Sequence, residues 1–270
     1  MDAANVRIAF VGAGAMGGAI ARGICTSGGV DASRIAVADP APQTRASFSE
    51  MGIAAFPDAS EMLAAFDPDV VLLAVKPQVA AAVIAPLAVA LSGRLVVSIM
   101  AGVPLEKLYG LCATERIVRL MPNLPVAAGL GAIALTAGVG ASDEDAAFVA
   151  DLLSSVAVVK PMREDQLDVA GVVSGSSPAF FAFFVDCLTR AGIEAGLPAA
   201  DCREMVEATM RGTAQQLLDS GEHPRIYMER VSSPGGTTIA ALRAMEGDVF
   251  YAITDAVDAA LERTRELAGK

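Results

Sequence analysis

The chain has 270 residues, enough to bury two modest cores, and its 31 Asp and Glu against 20 Lys and Arg give a formal net charge of −11. That balance leaves no basic face to hold a phosphate polymer, which excludes nucleic acid as an expected partner. One histidine, His223, and four irregularly spaced cysteines, Cys25, Cys112, Cys187 and Cys202, form neither a metal-ligand pattern nor a disulfide framework, so a reduced, cytoplasmic, metal-free protein is expected.

Met1 to Asn5 carries no basic segment followed by an apolar stretch and a cleavage site, and it leads directly into a first strand. Uncharged stretches at 77–93 and 120–142 are interrupted by proline and glycine, so no membrane span is expected. Apolar runs recur at Ile8–Val11, Ile35–Ala38, Val70–Val75, Leu95–Ile99, Ile117–Leu120, Ala132–Leu135 and Val156–Val159. Strands of continuous hydrophobicity that alternate with helices predict an α/β fold, a Rossmann-like and mostly parallel sheet covered on both faces. Ser142 followed by Asp143, Glu144 and Asp145 predicts a helix N-terminus, and that helix runs to about Ser154.

Past Pro161 the strand signals stop. Helical patterns follow at about 177–195, 199–218, 224–231, 239–245 and 249–267, so residues 1–160 are expected to form a dinucleotide-binding domain and 161–270 an all-helical substrate-binding and dimerisation domain. The helix at 178–188 holds Phe180, Phe181, Phe183, Phe184, Val185 and Leu188, apolar on more than one face, which predicts a homo-oligomer whose partner covers it.

Candidate site residues gather at strand ends and helix starts. Gly12, Ala13, Gly14, Ala15, Met16 and Gly17 set a Gly-x-Gly-x-x-Gly turn between a strand and a helix, the pattern that cradles a dinucleotide pyrophosphate. Asp39 ends the second apolar run, where an acidic residue bonds the adenosine ribose and favours NAD(H); Arg34 and Arg45 nearby could instead pair with the extra phosphate of NADP(H), and the choice is open at this point. Ala74, Val75, Lys76 and Pro77 follow the next strand, and Ile99, Met100 and Ala101 the one after, at the sheet edge where such folds bind ligands. Lys76 meets ligand charge there or simply opens a helix in solvent. Asn123, at a later strand end, holds a nicotinamide or caps a turn.

In the helical half, Ser174, Gly175, Ser176, Ser177 and Pro178 read as a small-residue loop at a helix start, suited to an anion or merely to close packing. The stretch Ser232, Ser233, Pro234, Gly235, Gly236, Thr237 and Thr238 runs into an apolar helix and leaves several N–H groups without carbonyl partners, a cradle of carboxylate size whose plain alternative is an ordinary helix-start loop. Reduction of a ketone needs a positioned acid, and His223, in Gly-Glu-His-Pro, reads as part of a turn. An imine needs less: its nitrogen can be protonated before hydride arrives, so a cofactor cleft, a carboxylate cradle and a hydroxyl such as Thr238 suffice.

In order and spacing these residues resemble the pyrroline-5-carboxylate reductases. The matching motifs are 11–17, 74–77, Ala101-Gly-Val103, Arg119-Leu-Met-Pro-Asn123, Ser174-Gly-Ser-Ser-Pro-Ala179, Gly221-Glu-His-Pro224 and Val231 to Thr238, followed by Arg263-Thr-Arg-Glu-Leu267. The resemblance implies reduction of 1-pyrroline-5-carboxylate to L-proline, with NADPH or NADH along Gly12 to Gly17 and the segments 74–77 and 99–101 near the nicotinamide half. It implies that Ser233, Gly235, Gly236, Thr237 and Thr238 hold the substrate carboxylate, with Thr238 beside the ring nitrogen as the catalytic hydroxyl and Ser176 and Ser177 in the same pocket. Intertwined dimers or larger rings, with the active site between protomers, are implied as well. Three positions depart from the family pattern: Tyr227-Met-Glu229 replaces a common Leu-Lys-Asp, Phe180 a tyrosine, and Asp39 a residue that is neutral in many relatives. A reductase of another cyclic imino acid and a non-catalytic dinucleotide-binding regulator are the alternatives.

Overall fold

The structure is a computed structural model that describes residues 5–267. Met1 to Ala4, where no leader pattern is read, and 268–270, the end of the expected helical domain, lie outside the described residues. The described residues form eight strands: β1 (Ile8–Val11), β2 (Ile35–Ala38), β3 (Ala54–Phe56), β4 (Val70–Leu73), β5 (Leu95–Ser98), β6 (Ile117–Met121), β7 (Gly131–Ala137) and β8 (Ala157–Pro161). They form one sheet in the order β3-β2-β1-β4-β5-β6-β7-β8. All pairings are parallel except β6 with β7.

Helices α1 (Ala15–Thr26), α2 (Pro42–Ser49), α3 (Ala59–Phe66), α4 (Ala80–Ile84), α5 (Ala88–Leu91), α6 (Leu105–Cys112) and α7 (Asp143–Ser154) are interleaved with the strands. Successive strand residues point to opposite faces, and both faces are buried. On one, Ile8, Phe10, Val37, Val70, Leu72 and Val97 pack with Ile20 and Ile24 of α1, Phe48 of α2 and Phe148 of α7. On the other, Val11, Ala36, Val71, Leu73 and Val96 pack with Met62 of α3, Ile84 of α4 and Leu108 of α6. Each fully buried Phe, Ile, Leu or Met contributes about 1.5–3 kcal/mol relative to exposure.

The remaining helices are α8 (Glu164–Ala170), α9 (Ser177–Glu194), α10 (Ala199–Ser220), α11 (Pro224–Arg230) and α12 (Thr237–Leu267). The chain divides into two compact units, one reaching to Ser176 and taking in the chain from Leu261 onward, the other Ser177–Ala260. In the second unit α9 and α10 pack together, and Gly192 lies so close to Cys202 Sγ that a Cβ there would collide with it. Thr189 and Cys202 are the buried residues among 177–260.

Three elements differ from the sequence expectations. Strand β3 is new: Ala-Ala-Phe is too short and too poor in β-branched residues to register as a strand, and it forms because β2 supplies a partner edge. The break expected at 246–248 does not exist, and α12 is continuous for 31 residues. Gly247 costs a helix only about 1 kcal/mol, which thirty other positions outweigh, and no proline enforces a stop. Finally, 174–178 is no loop: a π-helical turn at Gly171–Ser176 joins α8 to α9, and Glu164–Glu194 is one helical run, long and apolar enough by length and composition to cross a membrane.

The start of α7 is fixed as its sequence requires. Ser142 Oγ accepts the Asp145 N–H at 3.1 Å while Asp145 accepts the Ser142 N–H at 3.2 Å, a reciprocal capping box. Arg116 grips the same carboxylate through Nε at 2.9 Å and Nη2 at 2.7 Å. The Arg116 hydrogen bonds hold the Asp145 carboxyl below the usual Asp range, against a smaller opposing effect of burial. A depressed folded-state pKa stabilises fully above the unfolded value of about 3.9 and loses that contribution as pH falls through the folded-state value. Because the arginine side chain is 37% exposed, solvent screening holds the pair to about 1 kcal/mol. Asp145→Asn should therefore lower stability by about that amount at pH 7 and by much less near pH 3, as read from urea melts at the two pH values.

Candidate cofactor and substrate sites

The order 3-2-1-4-5 puts the reversal of winding between β1 and β4, the crevice where open α/β sheets take their ligands. Two of the expected segments meet there. Gly12, at φ +96°, donates its N–H to the Ala38 carbonyl at 2.9 Å, and a Cβ on it would lie 2.7 Å from the Ala74 carbonyl oxygen. At Gly17 a Cβ would lie 2.5 Å from both the Ala74 Cβ and the Gly12 oxygen. Ala74 thus sits against both glycines, and its own N–H reaches the Val11 carbonyl at 2.8 Å. The segment 74–77 lies beside the glycine turn for this reason, with Lys76 and Pro77 exposed at its tip.

Gly14 differs from its neighbours. It is exposed, and a Cβ added to it would meet nothing within 4 Å. No packing within the protein demands glycine there, whereas a pyrophosphate brought against the backbone at the start of α1 does. Ala15 is exposed beside it and Met16 is partly buried on the core, while Ala13 is buried. The open space at Gly14, with the first turn of α1 behind it, fits a dinucleotide.

At the neighbouring strand end, Ile99 donates to the Leu73 carbonyl at 3.1 Å, Met100 is buried, and Ala101 is exposed. Ser98 Oγ accepts the Met100 N–H at 3.3 Å. Asp39 stands at the end of β2: one carboxylate oxygen accepts the Ala13 N–H at 3.0 Å and the other the Ala41 N–H at 2.9 Å. The glycine turn and the acid that follows β2 are therefore one hydrogen-bonded assembly.

Asn123 is buried, and its amide is used at both ends: Oδ1 accepts the Ala132 N–H at 2.8 Å and Nδ2 donates to the Ser174 carbonyl at 3.1 Å. Pro178 has no N–H to offer the carbonyl four residues before it, Ser174, and Asn123 supplies a donor in its place. Asn123 thus braces Ser174 against β7, and its side chain makes no cap hydrogen bond to the turn it precedes. Ser174–Pro178 is likewise corrected from a helix-start loop to helix interior, so it presents no open N-terminus; Ser176 is exposed and Ser177 half-buried along this run.

A group not singled out from the sequence lies next to it. Arg119, in the middle of β6 and 3% exposed, reaches Glu164 at 3.1 Å and Asp168 at 3.6 Å, one turn apart on α8. Glu164 also accepts the Leu105 N–H at 2.6 Å. An arginine inside an otherwise apolar strand is the signal that could have found it, because a buried guanidinium requires partners.

In the helical unit, the segment 232–236 leads into α12. Gly235 has φ +69°, and Gly236 donates to the Ser233 carbonyl at 2.9 Å with Ser233 Oγ packed where a Cβ would stand. The first carbonyl to accept from α12 is that of Gly236, from Ala240 at 3.3 Å. The N–H groups of Thr237, Thr238 and Ile239 thus belong to the open first turn and carry the positive end of a 31-residue helix. Ser233 is exposed and Thr238 half-buried. His223 caps α11, its Nδ1 accepting the Arg225 N–H at 3.2 Å, which is the turn role read from the sequence. Among the described residues no group of three or more His, Cys, Asp or Glu could hold a metal ion.

Comparison with known proteins gives matches over both parts of the chain. Residues 164–267 match the family model for pyrroline-5-carboxylate reductase dimerisation, and residues 7–102 match that for NADP oxidoreductases that are coenzyme F420-dependent. A pyrroline-5-carboxylate reductase of Arabidopsis thaliana is 35% identical, over 99% of this chain and 98% of its own. The solved pyrroline-5-carboxylate reductase of Coxiella burnetii has a TM-score of 0.91 at 29% identity, covering 97% of this chain and 98% of that one. That of Plasmodium falciparum, solved with NADP bound, has a TM-score of 0.85 at 27% identity, with 98% of each chain covered.

The glycines give a two-part test. Gly17→Ala should lower the melting temperature and abolish dinucleotide binding together, whereas Gly14→Ala should leave the melting temperature within about 1–2 °C of the parent and still weaken binding about tenfold or more, measured by calorimetric titration.

Proposed function

Given that the chain belongs to the pyrroline-5-carboxylate reductase family, we propose that it reduces 1-pyrroline-5-carboxylate to L-proline with NAD(P)H. The observation that carries the reading is the full-length likeness to reductases of that name together with the glycine turn set against Ala74 at the sheet's switch point. Oxidation of NADH or NADPH by the purified protein in the presence of the cyclic imine tests it, and absence of turnover with both would end it. Offering the six-membered imino acid in competition decides the ring size.

The bound nicotinamide supplies the hydride, delivered to the imine carbon. The protein's part is binding and orientation. Gly12 to Gly17 hold the pyrophosphate, and the segments 74–77 and 99–101 lie at the sheet edge that would carry the nicotinamide half. The open first turn of α12, with Ser233, Gly235, Gly236 and Thr237, suits the substrate carboxylate, because three N–H groups and the helix dipole favour an anion there. Thr238 is the hydroxyl beside the ring nitrogen. It steers an imine already protonated from solvent, and a neutral amine leaves, so no histidine acid is required. Ser176 and Ser177 complete the substrate side in this reading. Thr238→Ala should cut kcat about tenfold or more while changing the NAD(P)H dissociation constant less than about twofold.

We assign residues 161–270 to substrate binding and self-association and 1–160 to the cofactor. Phe181, Phe183, Phe184 and Leu188 of α9 and Phe250, Tyr251 and Ile253 of α12 are exposed in the single chain, more apolar surface than a monomer leaves in water. A second copy of the chain is the natural cover, given the dimerisation-model match over 164–267, and it also accounts for the apolar run Glu164–Glu194 without a membrane. The reading is therefore a homo-oligomer, with the cytoplasm as its proposed location. Phe183→Glu with Phe250→Glu should yield monomers by light scattering, because two charges would be desolvated at the contact.

A further inference from the structure

The proposed function leaves the nucleotide's adenosine end undecided, and the surroundings of Asp39 address it. Resting on the reading of Gly12 to Gly17 as the dinucleotide cradle, we infer that the chain discriminates for NADH over NADPH, with Asp39 as the selecting residue and Arg45 drawn to the backbone beside it. Asp39 is immobilised. Its oxygens are held by the N–H groups of Ala13 and Ala41, and its own N–H reaches the Phe56 carbonyl at 3.1 Å, so the carboxylate has no freedom to swing aside. Each oxygen accepts one backbone hydrogen bond and keeps a lone pair, the number required to take both hydroxyls of an unmodified ribose. A phosphate on that ribose would meet a fixed negative charge.

A cation could reverse this, and three arginines are to be weighed, of which Arg34 precedes β2 and so stands at the opposite edge of the sheet from Asp39. Each is occupied. Arg45 Nη1 donates to the carbonyls of Asp39 and Pro40, both at 2.8 Å. Arg34 Nη1 donates to the Asn5 carbonyl at 2.6 Å. Arg22 lies over the Phe48 ring at 4.5 Å and reaches Ser47 Oγ at 3.5 Å. The backbone after Asp39 offers a phosphate only the N–H groups of Gln43 and Thr44 at the start of α2, since Pro40 and Pro42 have none and that of Ala41 is taken by Asp39.

Calorimetric titration of the full-length protein with NADH and with NADPH decides the matter without reference to turnover. NADH should bind about tenfold or more tightly than NADPH. In Asp39→Ser and Asp39→Asn the ratio should fall about tenfold or invert, through a gain for NADPH and a loss for NADH, with melting curves confirming that the variants fold. Equal or tighter binding of NADPH by the parent protein overturns the inference while leaving the cofactor site standing. Absence of binding by either dinucleotide overturns the cofactor reading and this inference with it.

Discussion

Everything at the dinucleotide end depends on one steric fact: Ala74 occupies the space that side chains at positions 12 and 17 would need. A methyl group at either glycine would overlap the end of β4, so the turn after β1 can lie against β4 only with hydrogen in both places. That contact brings the segment 74–77 beside the turn, sets where α1 starts, and leaves Gly14 standing clear. The Asp39 carboxylate then ties the end of β2 to the same turn through the Ala13 N–H. Three strand ends, β2, β1 and β4, are thereby held as one rigid rim.

Much of this was legible in the residues. Continuous apolar strands announced a two-sided sheet, and the structure places β1 and β2 at the expected limits, Ile8–Val11 and Ile35–Ala38. The Ser142 cap was equally plain, because its energetics are confined to four consecutive residues. What sequence alone could not show depends on partners far along the chain. Strand β3 exists only because β2 has a free edge, and the continuity of α12 through Gly247 reflects a sum over many positions that no local breaker rule contains. In the sites, the glycine spacing and the 232–238 segment were readable from composition. The carbonyl contacts of Arg34 and Arg45 were not, since they turn on residues 29 and 5–6 positions distant.

The misread segment 174–178 has a physical lesson of its own. Serines, a glycine and a proline in succession resemble a helix-start loop, yet here they continue a helix through a π turn. Proline is tolerated because the donor its ring removes is replaced by Asn123, just past the end of β6, whose other amide atom is anchored on β7. A few residues away, Arg119 fixes α8 with two carboxylates one turn apart. Bulged helices of this kind recur at functional sites, and this one carries Ser176.

The scarcity of buried residues along 177–260, where Thr189 and Cys202 stand nearly alone, bears on how the protein comes into being. A helical layer without an interior has little to hold it together alone, and under the proposed pairing its ordering would be a bimolecular event. Recovery from denaturant would accordingly speed up with protein concentration, and dilution would loosen this layer while the sheet, which owns its core outright, stays intact.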